Sequence, residues 1–147
     1  MTLAIVEANG PAGRGDLERV EALLGTPLPR QYRDFLLRIG GGQTDDLGVP
    51  GTGGDGVLQE LCGTDDLVQL NQPSHRRSGF PAYVPDRYLF IGYGAGGAPC
   101  IRVKGGDEGS VWWADFEKAG GIPDEEPHEE IMIRLADDFD GFLALFD

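Results

Sequence analysis

Between Asp16 and Gly25 the apolar residues fall at Leu17, Val20, Leu23 and Leu24, one face of a helix that Asp16 N-caps and Gly25 stops. Thr26-Pro27 breaks the chain, and Pro29 opens a second helix in which Tyr32, Phe35, Leu36 and Ile39 keep i, i+3, i+4, i+7 spacing. Arg30, Arg33, Asp34 and Arg38 take its other face, and Gly40-Gly41-Gly42 ends it. This pattern predicts a helical hairpin with one apolar side, preceded by an irregular, loosely attached segment over residues 1–14.

Beyond the hairpin the periodicity changes. Residues 40–56 hold eight glycines among Asp45, Asp46, Asp55 and Pro50, with neither a helical nor a strand repeat, and read as a loop. Val57-Leu58 reads as a short strand, Thr64 as the cap of a brief helix through Asp65, Asp66, Leu67 and Leu70, and residues 71–87 as polar connection. Residues 87–91 and 99–103 have strand composition and form a hairpin about a glycine-rich turn, and residues 110–115 add a third strand. A final helix over 127–146 places Ile131, Leu135, Phe139, Phe142 and Phe146 on one stripe, widened by Met132 and Leu143. The expected architecture is one α+β domain over 1–147: a helical hairpin, a central mainly antiparallel sheet and a C-terminal helix packed on it. At 147 residues the chain suits a single core.

Motifs of catalysis do not assemble. Gly92-Tyr93-Gly94-Ala95-Gly96-Gly97 follows the G-x-G-x-x-G pattern, yet it leads into the β-forming Ala98–Val103 and not into a helix that would bind pyrophosphate, so it reads as a turn. His128-Glu129-Glu130 is followed by Met132 where a zinc helix needs its second histidine. His75 has no nucleophile elbow nearby. Asp45-Asp46, Asp65-Asp66 and Asp137-Asp138 lack the spacing of a calcium loop and are solvated or capping carboxylates. Cys62 and Cys100, too few for a structural zinc site, read as buried free thiols. The expectation is a non-enzyme with no metal and no cofactor.

Charge changes the picture. The net charge is −13, which disfavours nucleic-acid partners, and it is unevenly spread. Residues 107–147 hold 13 acidic and 2 basic side chains, net −11, against net −2 for residues 1–106. Such asymmetry fits an interaction surface for a basic partner, and equally a solvated acidic face. The candidate contacts are Asp124, Glu125 and Glu126 in a proline-flanked loop, Asp45 and Asp46, and the adjacent Trp112 and Trp113. On a strand these two indoles point to opposite faces, so only one joins the core; the other is an interface anchor or lies beneath a loop. No apolar stretch is long enough for a membrane span and the start lacks a basic signal-like region, so no membrane association and a cytoplasmic location are expected.

The run Glu18-Arg19-Val20-Glu21-Ala22-Leu23-Leu24-Gly25, then Leu28-Pro29, Tyr32, Phe35-Leu36 and Gly41-Gly42, resembles the opening of the SUKH superfamily (SMI/KNR-type), whose motif reads E-x-x-L-G-x-x-L-P-x-x-Y-x-x-F-L ahead of a Gly-Gly pair. Members typically carry Asn where this chain has Gly40, and the segment from Gly42 to Gly56 is longer than usual. The resemblance implies a non-catalytic α+β domain that binds other proteins. Its bacterial branch consists largely of immunity proteins that neutralise polymorphic or contact-dependent toxins, which here implies a cognate, nuclease-like or otherwise basic toxin as partner. A regulatory or scaffold module binding a host protein, as in the fungal branch that regulates cell-wall synthesis, is the alternative.

Overall fold

A computed structural model describes residues 5–146. The first helix, α1 (Arg14–Leu24), starts three residues earlier than its apolar pattern: Gly13, not Asp16, is the N-cap. Asp16 therefore sits at the third helical position and reaches back, its carboxylate accepting the Gly13 N–H at 2.9 Å. Gly25 ends α1 at φ 72°, a conformation cheap only for glycine, and donates its N–H to the Glu21 carbonyl. Glu21 fixes the corner by accepting the Leu28 N–H at 2.8 Å and facing Arg33 at 3.6 Å. The second helix, α2 (Arg30–Arg38), buries Tyr32, Phe35 and Leu36 as its spacing predicts.

The glycine-rich stretch after α2 is not a loop at its start. It forms β2 (Gly42–Gly48), which lies between β1 (Ile5–Ala8) and β3 (Val57–Leu61), both antiparallel to it. Within the segment over residues 1–14 that was expected to be irregular, Ile5–Ala8 is thus the edge strand β1. Glycine marks close backbone approach here: a Cβ at Gly41 would strike the Leu61 and Cys62 carbonyls, and one at Gly42 the Glu7 carbonyl. Gly40, at φ 79°, faces the Gly10 carbonyl so closely that no side chain fits. Only residues 49–56 turn, closed by the buried Thr52 hydroxyl, which donates to the Val49 carbonyl and accepts the Gly56 N–H. The helix α3 (Thr64–Leu70) follows, with Gly63 and not Thr64 as its N-cap.

A second antiparallel sheet has the order β4 (Tyr88–Phe90), β6 (Gly97–Arg102), β7 (Val111–Asp115) and β8 (Met132–Ala136). The expected hairpin is present, with Tyr88 opposite Arg102 and Phe90 opposite Cys100. What lies between its strands is a strand as well: β5 (Gly92–Ala95) crosses to the first sheet and pairs with β3. Its glycines are required by proximity, because a Cβ at Gly94 would meet the Val57 carbonyl and the Trp113 indole, and one at Gly92 the Glu60 carbonyl.

The long final helix is replaced by a turn at Glu129–Ile131, strand β8 and a short helix, α5 (Phe139–Ala144). Ile131, Leu135 and Phe139 keep helical spacing by coincidence: Met132 to Ala136 instead satisfy their backbone groups against β7. Asp138 then caps α5, accepting the Gly141 N–H at 2.7 Å. Glu129, at the start of the turn before β8, accepts from Arg87 at 2.6 Å and from the Tyr88 hydroxyl.

The second sheet is buried on both faces. Leu89, Ile91, Ile101, Val111 and Trp113 point inward to the helices, joining Leu17, Val20, Tyr32, Phe35, Leu36, Phe139 and Phe142. Tyr88, Phe90, Cys100, Ala114 and Met132 point outward and are covered by Tyr83, Val84, Ile131 and Ala119, the last on the short helix α4 (Phe116–Gly120).

Candidate protein-binding surface

The outer cover is built from the segment expected to be mere connection. Arg76 holds it: its guanidinium donates to the carbonyls of Tyr88 and Val84 at 2.7 Å and of Pro85 at 2.9 Å, and lies 5.1 Å over the Phe90 ring. Burial lowers the Arg76 pKa. Asn71 stands in for a neighbouring strand at β4, accepting the Phe90 N–H at 2.8 Å and donating to the Phe90 carbonyl at 3.0 Å. These anchors present the turn Phe80–Tyr83 beside α4, where Phe80 stacks on Phe116 with ring centroids 4.9 Å apart.

Between this turn, α3 and β5 opens a groove of about 310 Å³. Leu70, His75, Pro81, Phe90, Tyr93 and Phe116 wall it, and Gly92, Gly94, Gly97 and Ala98 contribute bare backbone. Tyr93, at 40% exposure, and Phe80, at 46% and stacked on the wall residue Phe116, are the large hydrophobic side chains left exposed among the described residues. Tyr93 stands opposite Glu60 across the β3–β5 pair. Burial, then Cys62, Asp66 and Glu60, pushes the Tyr93 phenol up to about 12, and burial together with Asp66 raises the Glu60 pKa. The β3 and α3 side of the apolar groove is thus flanked by the carboxylates of Glu60 and Asp66.

The candidate residues read from sequence scatter over this scaffold. Asp124, Glu125 and Glu126 are exposed in the loop before β8, and Glu125 accepts the Gly79 N–H, bracing the turn that carries Phe80. Asp45 and Asp46 are exposed on β2, in the other sheet. Trp113 lies in the core at 1% exposure, so Trp112 is the outward indole. It is half-buried, donates to the Ser110 hydroxyl at 2.8 Å, meets Tyr88 edge-on and is covered by the Arg134 guanidinium at 5.5 Å. Arg134 is held there by Asp107 and Asp137.

Phe80, Tyr93, Arg76 and Asn71 were not legible as a site. The one signal was a lone aromatic between glycines in Gly92-Tyr93-Gly94, a bulky side chain where a turn needs none. Cys62 and Cys100 are buried free thiols, and burial raises both their pKa values. Among the described residues no cluster of three or more His, Cys, Asp or Glu could hold a metal ion, and no helix is long and apolar enough to cross a membrane.

Two antiparallel sheets, an amphipathic helical hairpin and an acid-flanked apolar groove define an α+β domain. The chain belongs to the SMI1/KNR4 family (SUKH-1), whose family model matches residues 11–145. SUKH domains are generally non-catalytic and bind protein partners. No curated protein matches the chain.

Proposed function

We propose that this chain is a cytoplasmic immunity protein that neutralises a cognate toxin, nuclease-like or otherwise basic, by direct stoichiometric binding. The observation that carries the reading is the net −11 of residues 107–147, with Asp124, Glu125 and Glu126 exposed on one loop. A cleft that grips nucleic acid is basic, and an acidic surface competes for it while steering the encounter. Family membership supports a protein partner.

The test is coexpression with the protein encoded by the adjacent open reading frame. Restored growth together with a 1:1 complex on gel filtration is expected. Growth arrest that this chain does not relieve, with no complex formed, overturns the reading.

A further inference from the structure

We propose that the cleft where β5 and β6 part seats an extended segment of the protein partner, with one large apolar side chain flanked by Lys or Arg inserted against Tyr93 and Phe116, the ring on which Phe80 stacks. The inference rests on the reading of this chain as a binder of a basic protein, and specifies where and how the partner is gripped.

The topology makes the cleft. Up to Ile91, whose N–H donates to the Pro99 carbonyl, the chain runs beside β6. β5 then swings to the first sheet, pairs only with β3 and becomes that sheet's edge. β4 pairs with β6 only across Cys100–Arg102, so Gly97 and Ala98 lie along the opening. Two strand edges, one from each sheet, therefore border one groove. Edge strands are commonly blunted by lysine, proline or inward charge, whereas Gly92-Tyr93-Gly94-Ala95 carries none of these. An extended peptide gains main-chain hydrogen bonds at such an edge and specificity from a pocket for alternate side chains.

The groove's volume, about 310 Å³, lies at the small end of ligand clefts and suits one bulky side chain with its backbone. Tyr93 and Phe116 line the groove and offer aromatic contact surface at little entropic cost, and the exposed Phe80 extends it by stacking on Phe116.

Charge chooses among occupants. Glu60 and Asp66 act on Tyr93, Asp115 stands opposite Gly97, Glu117 follows Phe116 on α4, and Glu125 holds Gly79. Of the cations here, Arg76 spends its guanidinium on three carbonyls, Lys118 is the basic residue of α4, and Arg77 is exposed on the His75–Arg77 turn, against the four acids Glu60, Asp66, Asp115 and Glu117. A second copy of a −13 chain would bring more negative charge to this rim, and a basic-flanked segment would relieve it.

The experiment is a ¹⁵N NMR titration of the full chain with the peptide Lys-Lys-Val-Phe-Val-Lys-Lys, beside versions with Glu for Lys and with Ala for Phe. Saturable shifts at Tyr93, Gly94, Gly97, Ala98 and Phe116 are expected, with each control peptide binding at least about tenfold more weakly, the scale of losing one anchor contact. Y93S replaces an exposed side chain and should leave the melting temperature in place, F80S gives up the stack on Phe116 and should lower it slightly, and both should weaken the peptide by a similar factor. Shifts confined to residues 124–126, equal binding of the Glu peptide, no binding at millimolar concentration, or a wild-type dimer that Y93S dissolves would each overturn the cleft. If Y93S and F80S keep full toxin protection that neutralised acidic-loop variants lose, the cleft fails while the toxin reading stands. If the peptide binds as expected but no toxin is neutralised, the toxin reading fails and the cleft stands.

Discussion

Both faces of the second sheet carry a packed cluster of buried residues, yet they are covered by different means. Inward, Trp113, Leu89 and Ile101 meet α1, α2 and α5, regular helices whose apolar residues recur at helical spacing. Outward, Tyr88, Phe90 and Cys100 meet short turns and the five-residue α4, which have too little periodicity to form one stripe and are held by individual hydrogen bonds from Arg76, Asn71 and Tyr83. Packing by a helix leaves a closed surface. Packing by tethered turns leaves a seam, and the groove beside Phe80 opens along it.

The adjacent tryptophans give the largest contrast between the faces. Trp113→Ala empties a fully buried site beneath Gly94 and Gly97, where the sheets meet, and should cost about 3–5 kcal/mol. Trp112→Ala removes a half-buried ring with one aromatic partner and one covering guanidinium, and should cost about 1 kcal/mol. Denaturant unfolding followed by circular dichroism checks both. Equal costs would mean the outer face is as tightly packed as the inner.

Arg76→Met tests the outer cover itself. It keeps the stem but leaves the carbonyls of Val84, Pro85 and Tyr88 without their donor, and should cost about 2 kcal/mol, since hydrogen bonds to charged groups contribute roughly 1.5–3 kcal/mol. Hydrogen exchange should quicken at Ala82 and Val84, whose N–H groups close the Phe80–Tyr83 turn, before it quickens within α1. Simultaneous quickening would show that cover and helices open as one unit.

On the inner side, Asp138→Ala should cost about 1 kcal/mol, the usual loss of an N-cap, because the Gly141 N–H loses its acceptor at the start of α5. Thermal melting measures it. An unchanged melting temperature would show that α5 is held by Phe139 and Phe142 alone.

The same contrast explains what the sequence disclosed. The hairpin and strands β4, β6 and β7 were legible because each declares its period or its β-branched and aromatic composition over a full element. Strand β2 was not, since Gln43-Thr44-Asp45-Asp46 faces solvent on one side and its glycines, which permit close strand contact, have the composition of a loop. The C-terminal stretch misled because Ile131, Leu135 and Phe139 satisfy both repeats for a few residues, and only β7, distant in sequence, decides between them. Of the surface, the acidic loop was readable as charge. The groove was not, since Tyr93 and Phe116 are brought to one cleft by a strand that changes sheets.

The smallest effect on stability should carry the largest effect on encounter. Asp124 and Glu126 are exposed, so D124N/E126Q should shift stability by no more than about 0.5 kcal/mol. Glu125 differs, because its carboxylate accepts the Gly79 N–H and Glu125→Gln weakens the bracing of the Phe80 turn. Separating the two substitution sets separates steering from shape. Loss of two charges on a surface already strongly negative should slow association with a basic toxin at low ionic strength, and the difference should fade as salt shortens the screening length to about 8 Å. Dissociation should barely change, since rim charges act mainly on the approach. Glu125→Gln should instead speed dissociation, because it loosens the apolar contact that outlasts the encounter. Stopped-flow association and surface-plasmon dissociation rates measure the two arms. Equal effects of both sets on both rates would merge loop and groove into one contact and erase the distinction drawn between them.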